Sequence, residues 1–278
     1  MAVAYKAPVK DIVFGYEVID SYNVLNKIAA FSDFSEDVVV PTMEECAKFS
    51  EEVLAPINAI GDQQGATIDN GVVTMPEEFV DAYKKFSDAG WASISLPEEI
   101  GGGGMPITLS GGTLEILSTA NLAFGLAPGL SAGAISAINF HGSQEQKDKF
   151  LPKLVSGEWT GTMNLSEPQS GSDLGTITTK AEAQEDGTYK VTGTKVWITF
   201  GEHNMTENIV HLVLAKVPGS PEGTKGISMF IVPKFIVNDD GSLGENNNVS
   251  CISIEEKLGI HASPTCVMEY DGSVGYLV

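Results

Sequence analysis

Residues 178–199 read TTKAEAQEDGTYKVTGTKVWIT, two strand-length stretches around the turn Glu185-Asp186-Gly187. Val, Ile and Thr alternate with polar residues on both sides of that turn, the period-2 pattern of a half-buried hairpin. Similar short runs follow at Ile209–Val217, Ile227–Pro233 and Cys251–Glu256, with a second turn at Asp239-Asp240-Gly241. Closely spaced strands without intervening helices predict an antiparallel barrel or sandwich and exclude a parallel nucleotide-binding sheet.

Upstream of Gly157 the pattern is helical. Met43, Cys46, Phe49, Val53, Leu54 and Ile57 recur at three- and four-residue steps, while Glu44, Glu45, Lys48, Glu51 and Glu52 take the other side. Thr74 and Pro76 predict the start of a second helix through Phe79, Tyr83 and Phe86, stopped at Gly90. Three further helices are expected over Leu109–Ala120, Leu130–Phe140 and Gln144–Leu154. The predicted fold class is α+β: an extension over 1–32, an all-α domain over 33–158 and a β domain over 159–278.

The 278 residues carry a net charge of −21, which would repel a phosphate backbone and argues against a nucleic-acid partner. No run approaches the roughly 20 apolar residues of a membrane span, and acidic Asp11, Glu17 and Asp20 interrupt the first thirty residues, so neither a membrane role nor an export signal is expected. Three widely spaced cysteines, Cys46, Cys251 and Cys266, fit structural thiols in a reducing cytoplasm. Gly101–Gly104 lacks the strand–helix context of a dinucleotide fingerprint and the Lys-Ser/Thr of a P-loop, and reads as a loop between helices. His141, His203, His211 and His261 lack convincing metal-ligand spacing, so no metal is assigned.

Two segments can carry chemistry. Met163-Asn164-Leu165-Ser166-Glu167-Pro168-Gln169-Ser170-Gly171-Ser172-Asp173-Leu174 is rich in hydroxyls and small residues that can bend main chain around a ligand, but fits an ordinary polar loop equally well. Gly193-Thr194-Lys195-Val196-Trp197-Ile198-Thr199-Phe200-Gly201 puts an indole and a hydroxyl at a strand end. Taken alone, a tryptophan at such a place is more often a core residue than a cofactor platform, unless something pairs it with the first segment.

Together the segments resemble the paired signatures of the acyl-CoA dehydrogenase family, T/S-E-P-x-x-G-S-D followed by G-x-K-x-W-I-T. Gly90-Trp91 through Pro97-Glu98-Glu99-Ile100-Gly101-Gly102, His141–Lys147 with Leu151-Pro152-Lys153 and Gly157-Glu158-Trp159, and Glu255–Ile260 with Ser263-Pro264-Thr265 resemble further family blocks, so the likeness covers nearly the whole chain. The opening Tyr5–Asp11, the segment Gly201–Ile209, and Val232–Phe235 followed by Asp240–Gly244 are similar to a branch of larger members, the 3-methylmercaptopropionyl-CoA dehydrogenases of sulfur-compound breakdown.

The resemblance implies an FAD-dependent oxidoreductase that dehydrogenates a short acyl-CoA and passes electrons to an electron-transfer flavoprotein, as a homo-oligomer, dimer or tetramer, when complete. It implies cofactor-binding roles for Met163, Asn164, Leu165, Ser166, Ser172, Trp197, Ile198 and Thr199. Met163, Leu165 and Ser166 are expected at the isoalloxazine, Ser172 at the pyrophosphate or the substrate's pantetheine, Trp197 against the flavin and Thr199 at its reactive edge. The family's catalytic glutamate comes from a later helical domain, expected to lie beyond residue 278, so no catalytic residue is assigned and residues 1–278 alone are expected to be inactive. Met163 stands where an aromatic residue is common, and Gln169-Ser170-Gly171 replaces a frequent Gly-Ala-Gly. A repair-associated or non-catalytic flavoprotein of the same fold is the alternative.

Overall fold

The computed structural model describes residues 4–278. Helices α1 (Val9–Val18), α2 (Ser21–Leu25), α3 (Glu36–Phe49) and α4 (Ala55–Gln64) come first. A two-stranded hairpin follows, β1 (Thr67–Asp69) and β2 (Val72–Thr74), and then α5 (Glu77–Asp88), α6 (Ile107–Ala120), α7 (Leu122–His141) and α8 (Gln144–Val155). The remainder is β3 (Trp159–Asn164), β4 (Lys180–Ala183), β5 (Tyr189–Thr199), β6 (Asn208–Lys216), β7 (Ile227–Pro233), β8 (Phe235–Val237), β9 (Leu243–Asn246), β10 (Val249–Ile254) and β11 (Thr265–Leu277).

The helical half has an aromatic centre. Phe79, Tyr83 and Phe86 on the inner face of α5 meet Phe124 of α7, with the Phe86 and Phe124 rings edge to face at 5.6 Å. The single helix expected from Met43 through Ile57 is split by a π-helical turn at Ser50–Leu54. Pro56, which has no N–H to give, sits in the first turn of α4, and the wider turn re-registers the chain before it. The start of α8 closes a capping box, Ser143 accepting from the Gln146 amide while Gln146 accepts from the Ser143 amide.

Four expectations are corrected. The first half is not all-α, because Asp69-Asn70-Gly71 turns a hairpin with φ of 47° at Asn70 and 81° at Gly71. Those positive values suit an Asn-Gly turn, and Val73 is then buried in the core of the second half. Thr74 consequently ends β2 rather than capping α5, whose N-cap is Pro76. The second half is not purely antiparallel either: β3 runs parallel to β6 from Trp159 opposite Asn208 to Asn164 opposite Val213. The intervening chain crosses the sheet through β4 and β5 before β6 starts, so β6 repeats the direction of β3. Finally, α7 is long and apolar enough to span a membrane by composition, with a mean hydropathy of 1.4. Here it is a core helix, since Ala134, Ile135 and Ile138 are buried against β3 and α8.

Strand pairing closes on itself. β4 pairs β5, β5 pairs β11, β11 pairs β7, β7 pairs β6, and one parallel bridge between Lys216 and Lys180 returns to β4. β10 adds to β11 and β3 adds to β6 on the outside of this circuit. The two halves join where α7 lies on β3. The Gly161 amide donates to Ser131 Oγ at 3.0 Å, and a β-carbon at residue 161 would stand 2.4 Å from Ala134 Cβ. At the far end of β5, Phe200 is buried among residues of the helical half.

Gly161→Ala is therefore expected to force α7 off β3 and destabilise the fold by about 1–3 kcal/mol, the cost of overpacking a tight core. A denaturant midpoint equal to wild type would show that the helix and strand separate freely.

Candidate functional site

The two segments singled out in the sequence meet at one buried ion pair. Lys195, on β5, is 0% exposed, and its ammonium donates to Glu167 Oε1 at 2.9 Å and to the Leu165 carbonyl at 3.0 Å. Glu167, 1% exposed, also accepts from the Thr178 amide at 2.7 Å, the Thr178 hydroxyl at 2.8 Å, the Thr179 amide at 3.0 Å and the Thr179 hydroxyl at 2.5 Å. The Gln169 amide adds a fifth donor beside the ammonium, at 2.7 Å. The carboxylate thus gathers the loop around itself and fastens it to β5.

Burial alone would raise the Glu167 carboxyl. The Thr179 hydroxyl, the Thr178 amide and the Lys195 ammonium reverse that and hold it at about 2. Lys195 is pushed down by its own burial, opposed by the Glu167 charge. At neutral pH the pair is charged on both sides. Every lone pair of Glu167 is committed, so it is a structural anchor and not a proton acceptor.

The clamp sets up the surface above it. The Val196 amide donates to the Ser166 carbonyl at 3.0 Å, carrying the loop past the strand end. Opposite Val267, the β5–β11 register slips between the pairs Met268–Lys195 and Cys266–Ile198, so Val196 and Trp197 together face one residue. This bulge drives Trp197 to φ 61°, unusual for a bulky side chain, and turns its indole outward at 57% exposure. Gly171 lies against that ring: a β-carbon there would be 3.8 Å from Trp197 Cζ3 and 4.0 Å from Ser166 Oγ. Two residues on, half-buried Thr199 pairs with Thr265, and the chain then turns sharply through Phe200 at φ 52°, whose amide donates to the Pro264 carbonyl at 2.8 Å.

The eight expected residues therefore divide. Ser166 and Trp197 come together beside Gly171, with exposed Ser172 next along the loop and Thr199 following on the same strand. Leu165 is half-buried, with its carbonyl taken by Lys195. Met163 packs its side chain toward the helical side of β3. Asn164 and Ile198 are buried with their side chains turned inward, Asn164 bonded to Thr162 and Tyr270, and Ile198 in the strand core. Only their backbone faces the site. Among the described residues the hydroxyls of Ser166, Ser172 and Thr199 enter no side-chain hydrogen bond, whereas Ser170, Thr178 and Thr179 hold the loop together. A planar, hydrogen-bonding heterocycle fits this set: an open indole face with free hydroxyls at its margin.

Sequence reasoning missed Lys195, Thr178 and Thr179 as the elements that build the site. The available signal was a lysine in the middle of a strand flanked by Val191, Val196 and Ile198, where an unpaired charge would be untenable. The glycine-rich loop is confirmed as a connector whose amides are used internally: Gly102, Gly103 and Gly104 donate to the carbonyls of Pro97, Ser93 and Leu96.

The same combination of helical and β units occurs in a solved acyl-CoA dehydrogenase from Bacillus anthracis complexed with FAD, 28% identical, with a TM-score of 0.66 over 87% of this chain and 37% of that one. Residues 41–158 match the model of the acyl-CoA dehydrogenase N-terminal domain and residues 162–273 that of the middle domain, and the chain belongs to the acyl-CoA dehydrogenase family. It is 46% identical over 276 residues to the 3-methylmercaptopropionyl-CoA dehydrogenase of Ruegeria pomeroyi, which covers 99% of this chain and 47% of that protein. It is 36% identical over 282 residues to a butyryl-CoA dehydrogenase of Syntrophomonas wolfei, covering 99% of this chain and 46% of that protein. The chain spans about half the length of these curated relatives.

Removing one partner of the pair strands the other charge in the core. Glu167→Gln and Lys195→Met are each expected to cost about 3–5 kcal/mol in denaturant unfolding. The pH dependence has a defined sign. The carboxyl titrates near 4.5 when free and at about 2 in the fold, so its contribution is complete above 4.5 and is lost as pH falls through the folded value. The stability gap between wild type and Glu167→Gln should accordingly narrow from about pH 5 to about pH 2. A gap independent of pH would mean that the carboxylate charge is not what holds the loop.

Proposed function

We propose that the complete protein is an FAD-dependent acyl-CoA dehydrogenase acting on short acyl thioesters, 3-methylthiopropionyl-CoA among them. The observation that carries this reading is Trp197, thrust outward on a strained bulge beside the unengaged hydroxyls of Ser166 and Thr199. A core tryptophan would gain nothing from that geometry, whereas a ring-stacking platform requires it. FAD, when bound, supplies the acceptor for the hydride that leaves the β-carbon of the acyl group.

In this reading Trp197 would hold the isoalloxazine by stacking, and the Thr199 and Ser166 hydroxyls would donate hydrogen bonds to it. The backbone at Met163, Asn164, Leu165 and Ile198 lines the same region. Ser172, exposed on the loop, serves the cofactor pyrophosphate or the substrate's pantetheine. Glu167 is saturated by donors and would not serve as the base that removes the α-proton. Exposed Leu122 and Phe140 on α7 are consistent with further chain packing there. The substrate assignment is supported by the Ruegeria and Syntrophomonas relatives, whose named acyl groups are small. Electron-transfer flavoprotein is the proposed acceptor, the cytoplasm the proposed compartment and a homo-oligomer the proposed assembly.

Anaerobic mixing of the full-length protein with 3-methylthiopropionyl-CoA or butyryl-CoA should bleach the flavin's visible band, while residues 1–278 alone should show no bleaching. Preference for long acyl chains would overturn the substrate assignment, and no bleaching with any acyl-CoA would overturn the dehydrogenase reading. In the same protein Trp197→Ala should weaken FAD binding by about 2- to 10-fold, the worth of stacking geometry, with a further loss from the ring's contact area. Thr199→Val should cost about 0.5–1.5 kcal/mol of FAD binding or of the reductive barrier. If Trp197→Ala lowers the thermal midpoint of flavin-free protein and leaves FAD affinity unchanged, Trp197 is a packing residue.

A further inference from the structure

The inward face of β3 presents Thr160, Thr162 and Asn164, all buried and all polar, where the interior of a strand-built unit is ordinarily apolar. Thr162 and Asn164 belong to one continuous chain of hydrogen bonds. The Tyr270 hydroxyl of β11 donates to Asn164 Oδ1 at 2.9 Å, Asn164 Nδ2 donates to Thr162 Oγ1 at 2.8 Å, and Thr162 Oγ1 lies 2.7 Å from Nδ1 of His211 on β6. The His211 and Tyr270 rings also meet edge to face at 5.9 Å.

The direction of donation follows from the groups themselves. Thr162 Oγ1 accepts from Asn164 and has one proton to give, which finds an acceptor if it goes to His211 Nδ1 and the histidine proton sits on Nε2. Among the described residues that Nε2 has no partner. With the other tautomer both the Thr162 proton and the Nε2 lone pair would be left over, so the first arrangement leaves the fewest groups unsatisfied. A buried unpaired donor is destabilising, and an apolar side chain at 211 would serve the core better if packing were its only task.

The chain ends at Asn164, whose own backbone opens the loop that leads to Leu165, Ser166 and the Glu167 clamp. We propose that Tyr270–Asn164–Thr162–His211 is a positioning chain: it fixes the Asn164 side chain, hence the Asn164–Leu165 peptide, and so aims Leu165 and Ser166 at the flavin. His211 and Tyr270, both buried, act through Asn164. The loop is thereby held twice, from the strand side by Lys195 on Glu167 and from inside by Tyr270 and Thr162 on Asn164. This inference rests on the flavin-binding reading given above.

The test uses full-length flavin-loaded protein carrying Tyr270→Phe, His211→Leu or His211→Asn, the last keeping an amide close to the position of Nδ1. FAD dissociation constants, visible-region circular dichroism of the bound flavin and the thermal midpoint of the flavin-free form are measured together. Val73→Ala, buried in the same core on β2 but outside the chain, reports the effect of simple core loss. Tyr270→Phe and His211→Leu should each weaken FAD binding by about 2- to 10-fold and alter the flavin's dichroic bands, with His211→Asn restoring both. Val73→Ala should lower the midpoint without changing either flavin signal. Unchanged flavin affinity and dichroism in Tyr270→Phe and His211→Leu would overturn the proposal and leave the chain a packing device. Should His211→Leu fail to fold, Tyr270→Phe decides by itself, because it removes one hydroxyl and keeps the ring. A wild-type full-length protein that takes up no flavin would overturn the flavin reading instead, and this inference with it.

Discussion

A lysine ammonium and a glutamate carboxylate sealed away from water depend on each other. Glu167 and Lys195 each carry a desolvation cost of several kcal/mol, offset only because they meet at 2.9 Å and because threonine hydroxyls and amides fill the remaining lone pairs. Such a pair adds little net stability over well-packed apolar side chains. What it supplies is register, since only one juxtaposition of the 163–174 loop and β5 leaves no buried charge unpaired. The candidate site follows from that single alignment: Ser166 beside Trp197, Gly171 against the indole, and Thr199 further along the strand.

The bulge at Val196–Trp197 is the second half of the same device. A regular strand alternating from inward Val191 and Lys195 would turn Trp197 inward and Ile198 outward, and the extra residue of the bulge reverses that phase. Phe200, buried in the helical half, and the Pro264 carbonyl hold the strand end beyond the bulge, so the distortion cannot relax by sliding. Backbone strain at one bulky residue thus coincides with the most exposed aromatic ring of the candidate site. This is where strain is expected when it serves a ligand rather than the core.

The organisation into a helical half and a strand-rich half was legible from periodicity, since α5 and α6 and the strands β4 to β7 lie where the patterns of Phe79–Phe86, Leu109–Ala120 and the Val/Ile/Thr runs put them. The hairpin at Asn70-Gly71 was missed although an Asn-Gly turn stands between Ile68 and Val72, because the strands it joins are only three residues long. β3 was hidden for a different reason. Buried on both faces, it places polar Thr160, Thr162 and Asn164 in the interior, where they resemble a loop until the partners that satisfy them are known. The π turn before Pro56 left no trace in a periodicity already interrupted by that proline.

For the candidate site, sequence was enough to single out the two segments and, through their likeness to a family, to name Ser166, Trp197 and Thr199. Residue types alone favoured core over platform for Trp197, because the outward turn depends on a φ angle and a register slip that arise only when β5 lies against β11. They also left Asn164 and Ile198 undecided, since period-2 alternation cannot say which face is inside once a bulge intervenes. Local pattern thus determined which elements form and which residues could carry chemistry. Tertiary structure decided which of them meet, because a buried charge must find its counter-charge, and here Glu167 finds it in Lys195, 28 residues away.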